Sequence, residues 1–103
     1  MIEHYRIWLQ KDPTHRMAMY GLAFELKKLG EVDAARAAFE KLLEAHPHSG
    51  AGWFQYGQLL EEEGEEEEAV AIWRRGLAAL KGATDAEAAR SRGEISTAID
   101  SLD

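Results

Sequence analysis

The chain has 103 residues, 46% of them apolar and 30% charged, with a formal net charge of −7 and no cysteine. That length and balance suit one compact folded domain, and the lack of cysteine excludes disulfides, thiolate chemistry and sulfur-ligated zinc, as befits a reducing compartment. No apolar run approaches the roughly 20 residues of a membrane span, and Met1-Ile2-Glu3-His4-Tyr5-Arg6 has neither the charged start nor the apolar stretch of a signal peptide, so a cytoplasmic protein is expected.

In chain order, the apolar spacing predicts six helices. The first covers 2–11 and places Ile2, Tyr5, Trp8 and Leu9 on one face. Pro13 followed by Thr14 reads as a stop and a restart, with the hydroxyl available to an orphan N–H of a helix over 15–29. Gly30 sits where the chain must reverse, and glycine tolerates the positive φ of a helix C-cap. A helix over 33–45 follows, then Pro47 and Ser49 repeat the stop-and-restart signal before a helix over 50–63. Gly64 marks the next reversal, leading into 67–81, and Thr84-x-x-Glu87 reads as a capping box opening a helix over 85–102. Its stripe is Ile95, Ala98, Ile99 and Leu102.

The chain also repeats itself. A shift of roughly 34 residues aligns Leu9 with Leu43 and Leu77, Pro13 with Pro47, Met19 with Trp53, Tyr20 with Phe54 and Ala23 with Gly57. The same shift aligns Leu26 with Leu60, Gly30 with Gly64, Glu31 with Glu65, Ala35 with Ala69 and Phe39 with Trp73. The small residues at 23, 57, 35 and 69 let paired helices approach closely, while Phe39, Trp53 and Trp73 are large enough to fill the layer between pairs.

The second copy reads Trp53-x2-Tyr56-Gly57-x2-Leu60, then Ala69-x3-Trp73. The first reads Met19-x2-Leu22-Ala23-x2-Leu26, then Ala35-x3-Phe39, then Pro47. On these residues the chain resembles the tetratricopeptide repeat family, in its small bacterial-type form. The departures are conservative in size, except that the second copy ends in Leu80-Lys81-Gly82 without a proline. The resemblance implies an all-α fold, a right-handed superhelical stack of antiparallel helix pairs with about six helices. It implies a single domain over 1–103: the second helix of an incomplete repeat at 1–13, repeats at 16–49 and 50–83, and a C-terminal capping helix at 84–103.

In this family the first helix of each pair lines a concave face that holds peptides or helices. Carried over residue by residue, the groove positions are Met17, Tyr20, Phe24 and Lys27, then Phe54, Gln58 and Glu61, then Ala88 and Arg92. The apolar character of the face implies an aromatic or aliphatic anchor on the partner. The competing account is that Tyr20, Phe24 and Phe54 are partly packed core residues. The Lys, Asn and Arg constellation with which some members clamp a C-terminal carboxylate is not matched, because Tyr20 and Phe24 stand at the first-copy positions.

Charge points the same way. Residues 1–48 carry seven Lys/Arg and seven Asp/Glu, whereas 49–103 carry five and twelve, with Glu61–Glu63 and Glu65–Glu68 flanking Gly64. Glu65–Glu68 suit the positive end of a helix, and Glu61–Glu63, which end one, have Lys27 and Lys28 at the equivalent place in the neighbouring copy to pair with across the stack. An acidic surface disfavours nucleic acid, so a protein or peptide of apolar or basic character is the expected partner, with no nucleic acid and no membrane. His4, His15, His46 and His48 read as turn and surface residues rather than metal ligands, no cofactor is expected, and no nucleophile elbow, phosphate loop or metal motif supports an enzyme. The expected function is a protein-interaction adaptor, the monomer being the expected state. The alternative is a homodimer joined through apolar area at Ile2 and Tyr5 on the open first helix.

Overall fold

The computed structural model describes residues 2–102; the expected segments 1–13 and 84–103 extend to Met1 and Asp103, which lie outside them. Among the described residues the fold is all-α and has no strand. The helices are α1 (Ile2–Lys11), α2 (Arg16–Lys28), α3 (Val32–Ala45), α4 (Gly50–Glu62), α5 (Glu66–Leu80) and α6 (Ala86–Asp100). Every boundary falls within two residues of its sequence expectation, because glycine and proline punctuate the chain so regularly.

Helix ends explain the hairpins. After α2, Gly30 takes φ 77°, its N–H reaches the Lys27 carbonyl at 3.1 Å, and the Glu31 N–H reaches Leu26 at 3.0 Å. After α4 the same pair recurs at Gly64, φ 81°, with Gly64 N–H to Glu61 at 3.0 Å and Glu65 N–H to Leu60 at 2.9 Å. This is the Schellman arrangement, which satisfies carbonyls that a helix end leaves open. At helix starts, Ser49 Oγ accepts the Gly52 N–H at 3.3 Å, as its hydroxyl suggests. The expected caps at Thr14 and Thr84 are corrected: α2 and α6 begin one residue later than a threonine cap needs. His15 Nδ1 instead accepts from Ala18 N–H at 3.3 Å, and Asp85 Oδ2 from Ala88 N–H at 3.2 Å.

The chain divides into two compact units, Met1–His46 and Pro47–Asp103. In the first, α2 packs against both α1 and α3. Ile2, Tyr5, Trp8 and Leu9 are the half-buried face of α1, the other described residues of that helix being exposed. Tyr5 lies on α2 at Gly21, where an added Cβ would meet the phenol ring, including its oxygen at 2.9 Å. Ala18, Met19, Ala23 and Leu26 of α2, with Ala35, Phe39, Leu42 and Leu43 of α3, are buried.

In the second unit, α4, α5 and α6 pack on one another. Trp53, Tyr56, Leu59 and Leu60 of α4 and Ala69, Ile72, Trp73 and Leu80 of α5 are buried, as are Ala88, Ser91 and Ile95 of α6. Both indoles are packed through missing side chains. A Cβ at Gly57 would strike the Trp73 ring, and one at Gly76 would lie 2.7 Å from Trp53 Cβ. Each indole N–H is also anchored, Trp73 Nε1 to the Phe54 carbonyl at 3.2 Å and Trp53 Nε1 to the Pro47 carbonyl at 2.8 Å.

Candidate functional site

The groove positions expected from the sequence fall on two separate helical faces and on α6. On α2, Met17, Tyr20, Phe24 and Lys27 recur at helical spacing along one side; Met17 is 67% exposed and the other three are half-buried. Tyr20 and Phe24 stack nearly parallel, ring centres 5.9 Å apart and planes 15° from each other. The Lys28 ammonium lies 5.7 Å from the Phe24 ring centre and 3.7 Å from Glu25 Oε1, so this cation is engaged within its own helix. The result is an aromatic platform with a positive rim.

On α4, Phe54, Gln58 and Glu61 are half-buried at the matching positions. Phe54 also gives its backbone carbonyl to Trp73, which ties this face to the core beneath it. The rim here is negative: Glu61 to Glu63 close α4, and Glu66, Glu67 and Glu68 occupy the first turn of α5.

The α6 positions have internal roles. Ala88 is only 3% exposed, and the Arg92 guanidinium donates to the Leu80 carbonyl at 2.9 Å and the Ala83 carbonyl at 2.8 Å. Arg92 thus closes the end of α5, where no proline or second Schellman bond does so.

Other residues have definite neighbours. On α1, His4 meets Tyr5 and Trp8 edge-on, and Trp8 lies 4.2 Å, centre to centre, from His15. His46 Nε2 donates to the Thr14 carbonyl at 2.6 Å. Among the described residues no three His, Asp or Glu side chains gather as a metal site. The large apolar side chain that α1 leaves in water is Ile7, 53% exposed, rather than Ile2 or Tyr5. Sequence reasoning also passed over Gln55, whose Oε1 is buried with no hydrogen-bond partner among the described residues, a costly arrangement for an amide.

Comparison with known proteins agrees with this architecture. Residues 16–59 match the model of the tetratricopeptide repeat family. Pre-mRNA-splicing factor CLF1 of Eremothecium gossypii is 36% identical over 74 residues, 72% of this chain but 11% of that protein, so the chain spans about a tenth of its relative's length. A solved structure of a MamA RS-1 ArsTM double mutant matches with a TM-score of 0.64 over 99% of this chain and 66% of that one, at 15% identity, a likeness of fold. No described helix is long and apolar enough to cross a membrane.

Proposed function

Because the chain is a tetratricopeptide repeat protein, of a family whose members are typically non-catalytic modules for protein–protein interaction, we propose that the aromatic face of α2 in the first unit and that of α4 in the second each offer a seat to a peptide or helix of a partner protein. The observation that carries this reading is the Tyr20–Phe24 stack. Two large rings are held parallel at the surface of α2, only half covered, with an ammonium beside them. Such a platform offers a partner a rigid apolar seat, and an aromatic or aliphatic anchor buried there would supply most of the affinity. Phe54 provides a second seat on α4, beside carboxylates that favour a basic flank on the partner. Met17 and Lys27 edge the first seat, and Gln58 and Glu61 edge the second. Ala88 and Arg92 serve α6 and the end of α5.

A short linear ligand on so small a surface would bind near micromolar, about −8 kcal/mol. The test is affinity capture from native extract with the intact chain and with Tyr20→Ala/Phe24→Ala/Phe54→Ala, followed by titration of each captured protein against Phe24→Ala/Phe54→Ala. The affinity is expected to fall at least tenfold while the far-ultraviolet circular dichroism stays that of the parent. Undiminished binding by a folded double variant would remove these faces from the interaction.

A further inference from the structure

The two copies of the repeat are built on the same backbone but are not filled alike. In the second copy Trp53 is buried, its N–H bound to the Pro47 carbonyl, and the Arg75 guanidinium lies 5.2 Å from the centre of its ring. The turn that supplies Pro47 recurs at Pro13. Each proline stands in a turn two residues before an N-cap side chain, His15 or Ser49, that accepts the N–H three positions further on.

Carried back by the repeat, Met19 stands for Trp53, Leu22 for Tyr56, Ala38 for Ile72 and Lys41 for Arg75. Those residues, with Leu9 and Pro13, line an open pocket of about 210 Å³ within the first unit. Methionine in place of tryptophan and alanine in place of isoleucine both reduce side-chain volume, and they do so at the same spot. The inner end is closed, since Gly76, against which Trp53 packs, has the fully buried Leu42 as its counterpart. The outer end is edged by the exposed Lys41.

We propose that this pocket is a docking site for an indole side chain carried by a partner protein. Space permits it, since an apolar cavity of about 150 Å³ already admits a benzene ring. The second copy specifies the chemistry: the Pro47 carbonyl of its turn takes an indole N–H, and the Arg75 cation of α5 covers the ring. Lys41 brings an ammonium to the matching position on α3, and Met19 offers a flexible, polarizable thioether to the ring edge. The site uses neither Tyr20, Phe24 nor Phe54, so it stands or falls separately from the reading above.

The test is a ¹H–¹⁵N NMR titration of the whole chain with N-acetyl-L-tryptophanamide, compared with N-acetyl-L-leucinamide. Saturable shifts are expected at Met19, Leu22, Ala38 and Lys41, with the leucine probe at least about fivefold weaker. Ala38→Ile, which gives the pocket its second-copy residue, should weaken the tryptophan probe at least about fivefold. Lys41→Gln, a surface change that leaves the core intact, should weaken it about two- to fivefold, the effect of losing a cation over a ring. Shifts that fail to saturate, that centre on Tyr20 and Phe24, or that survive both substitutions at unchanged affinity would overturn the proposal.

Discussion

The same substitution should have opposite effects at two helical glycines. Alanine is favoured over glycine inside a helix by about 1 kcal/mol, from reduced chain entropy in the unfolded state and better propensity. At Gly93, exposed on α6, an added Cβ meets nothing within 4 Å, so Gly93→Ala should keep that gain. At Gly57 the methyl would overlap the five-membered ring of Trp73. That ring is fully buried, and it cannot swing aside without breaking its bond to the Phe54 carbonyl. Overpacking of this kind costs about 1–3 kcal/mol and the lost hydrogen bond about another 1. Gly57→Ala should therefore lose about 1–3 kcal/mol net, lowering Tm by roughly 5–20 °C for a chain of this size, while Gly93→Ala should raise it by a few degrees. Thermal and urea unfolding followed at 222 nm decide the matter. If both variants move in the same direction, the close seating of Trp73 on α4 is wrong.

Trp73→Ala should cost about 3–5 kcal/mol, since it removes the largest fully buried side chain among the described residues, and a loss below about 1 kcal/mol in urea unfolding would take that ring out of the core. Arg92→Met keeps the apolar stem but removes the donors to Leu80 and Ala83. Stability should fall by about 1–3 kcal/mol, with partner affinity unchanged, because one carbonyl at the end of α5 and one in the loop after it lose their partner; an equal drop in affinity without loss of stability would return Arg92 to the binding surface.

The helices were legible because their punctuation is chemical. Gly30 and Gly64 are placed at positive φ, where a side chain is strained, and Pro13 and Pro47 where a helix cannot continue. The caps were less legible. Thr14 and Thr84 both offer a hydroxyl, yet each helix starts one residue further on, and an imidazole at His15 or a carboxylate at Asp85 serves equally as acceptor. The aromatic positions Tyr20, Phe24 and Phe54 came from carrying the family's groove positions onto the repeat, and helical spacing alone would not have singled them out. The same carry-over named Ala88 and Arg92, where the structure has a buried methyl and a guanidinium bound to the Leu80 and Ala83 carbonyls. Ser91 instead packs against Gly50, whose missing side chain brings α4 and α6 together and turns the flanking residues inward.

The pocket at Met19 shows why a repeat can be read correctly in register and still be misread in volume. Aligned as apolar residues, Met19 and Trp53 or Ala38 and Ile72 are conservative exchanges, and the backbone agrees, since turn, cap and Schellman bonds recur in both copies. Backbone hydrogen bonds depend on spacing, which the two copies share. Packing depends on the sum of side-chain volumes around one point, and at this point both changes have the same sign, with Leu42 recovering only the inner part. A copy that keeps its frame while giving up volume from two facing helices leaves room that water or another molecule must occupy. The proline turn and the lysine around that room are the groups that already hold an indole, through their counterparts Pro47 and Arg75, in the other half of the same chain.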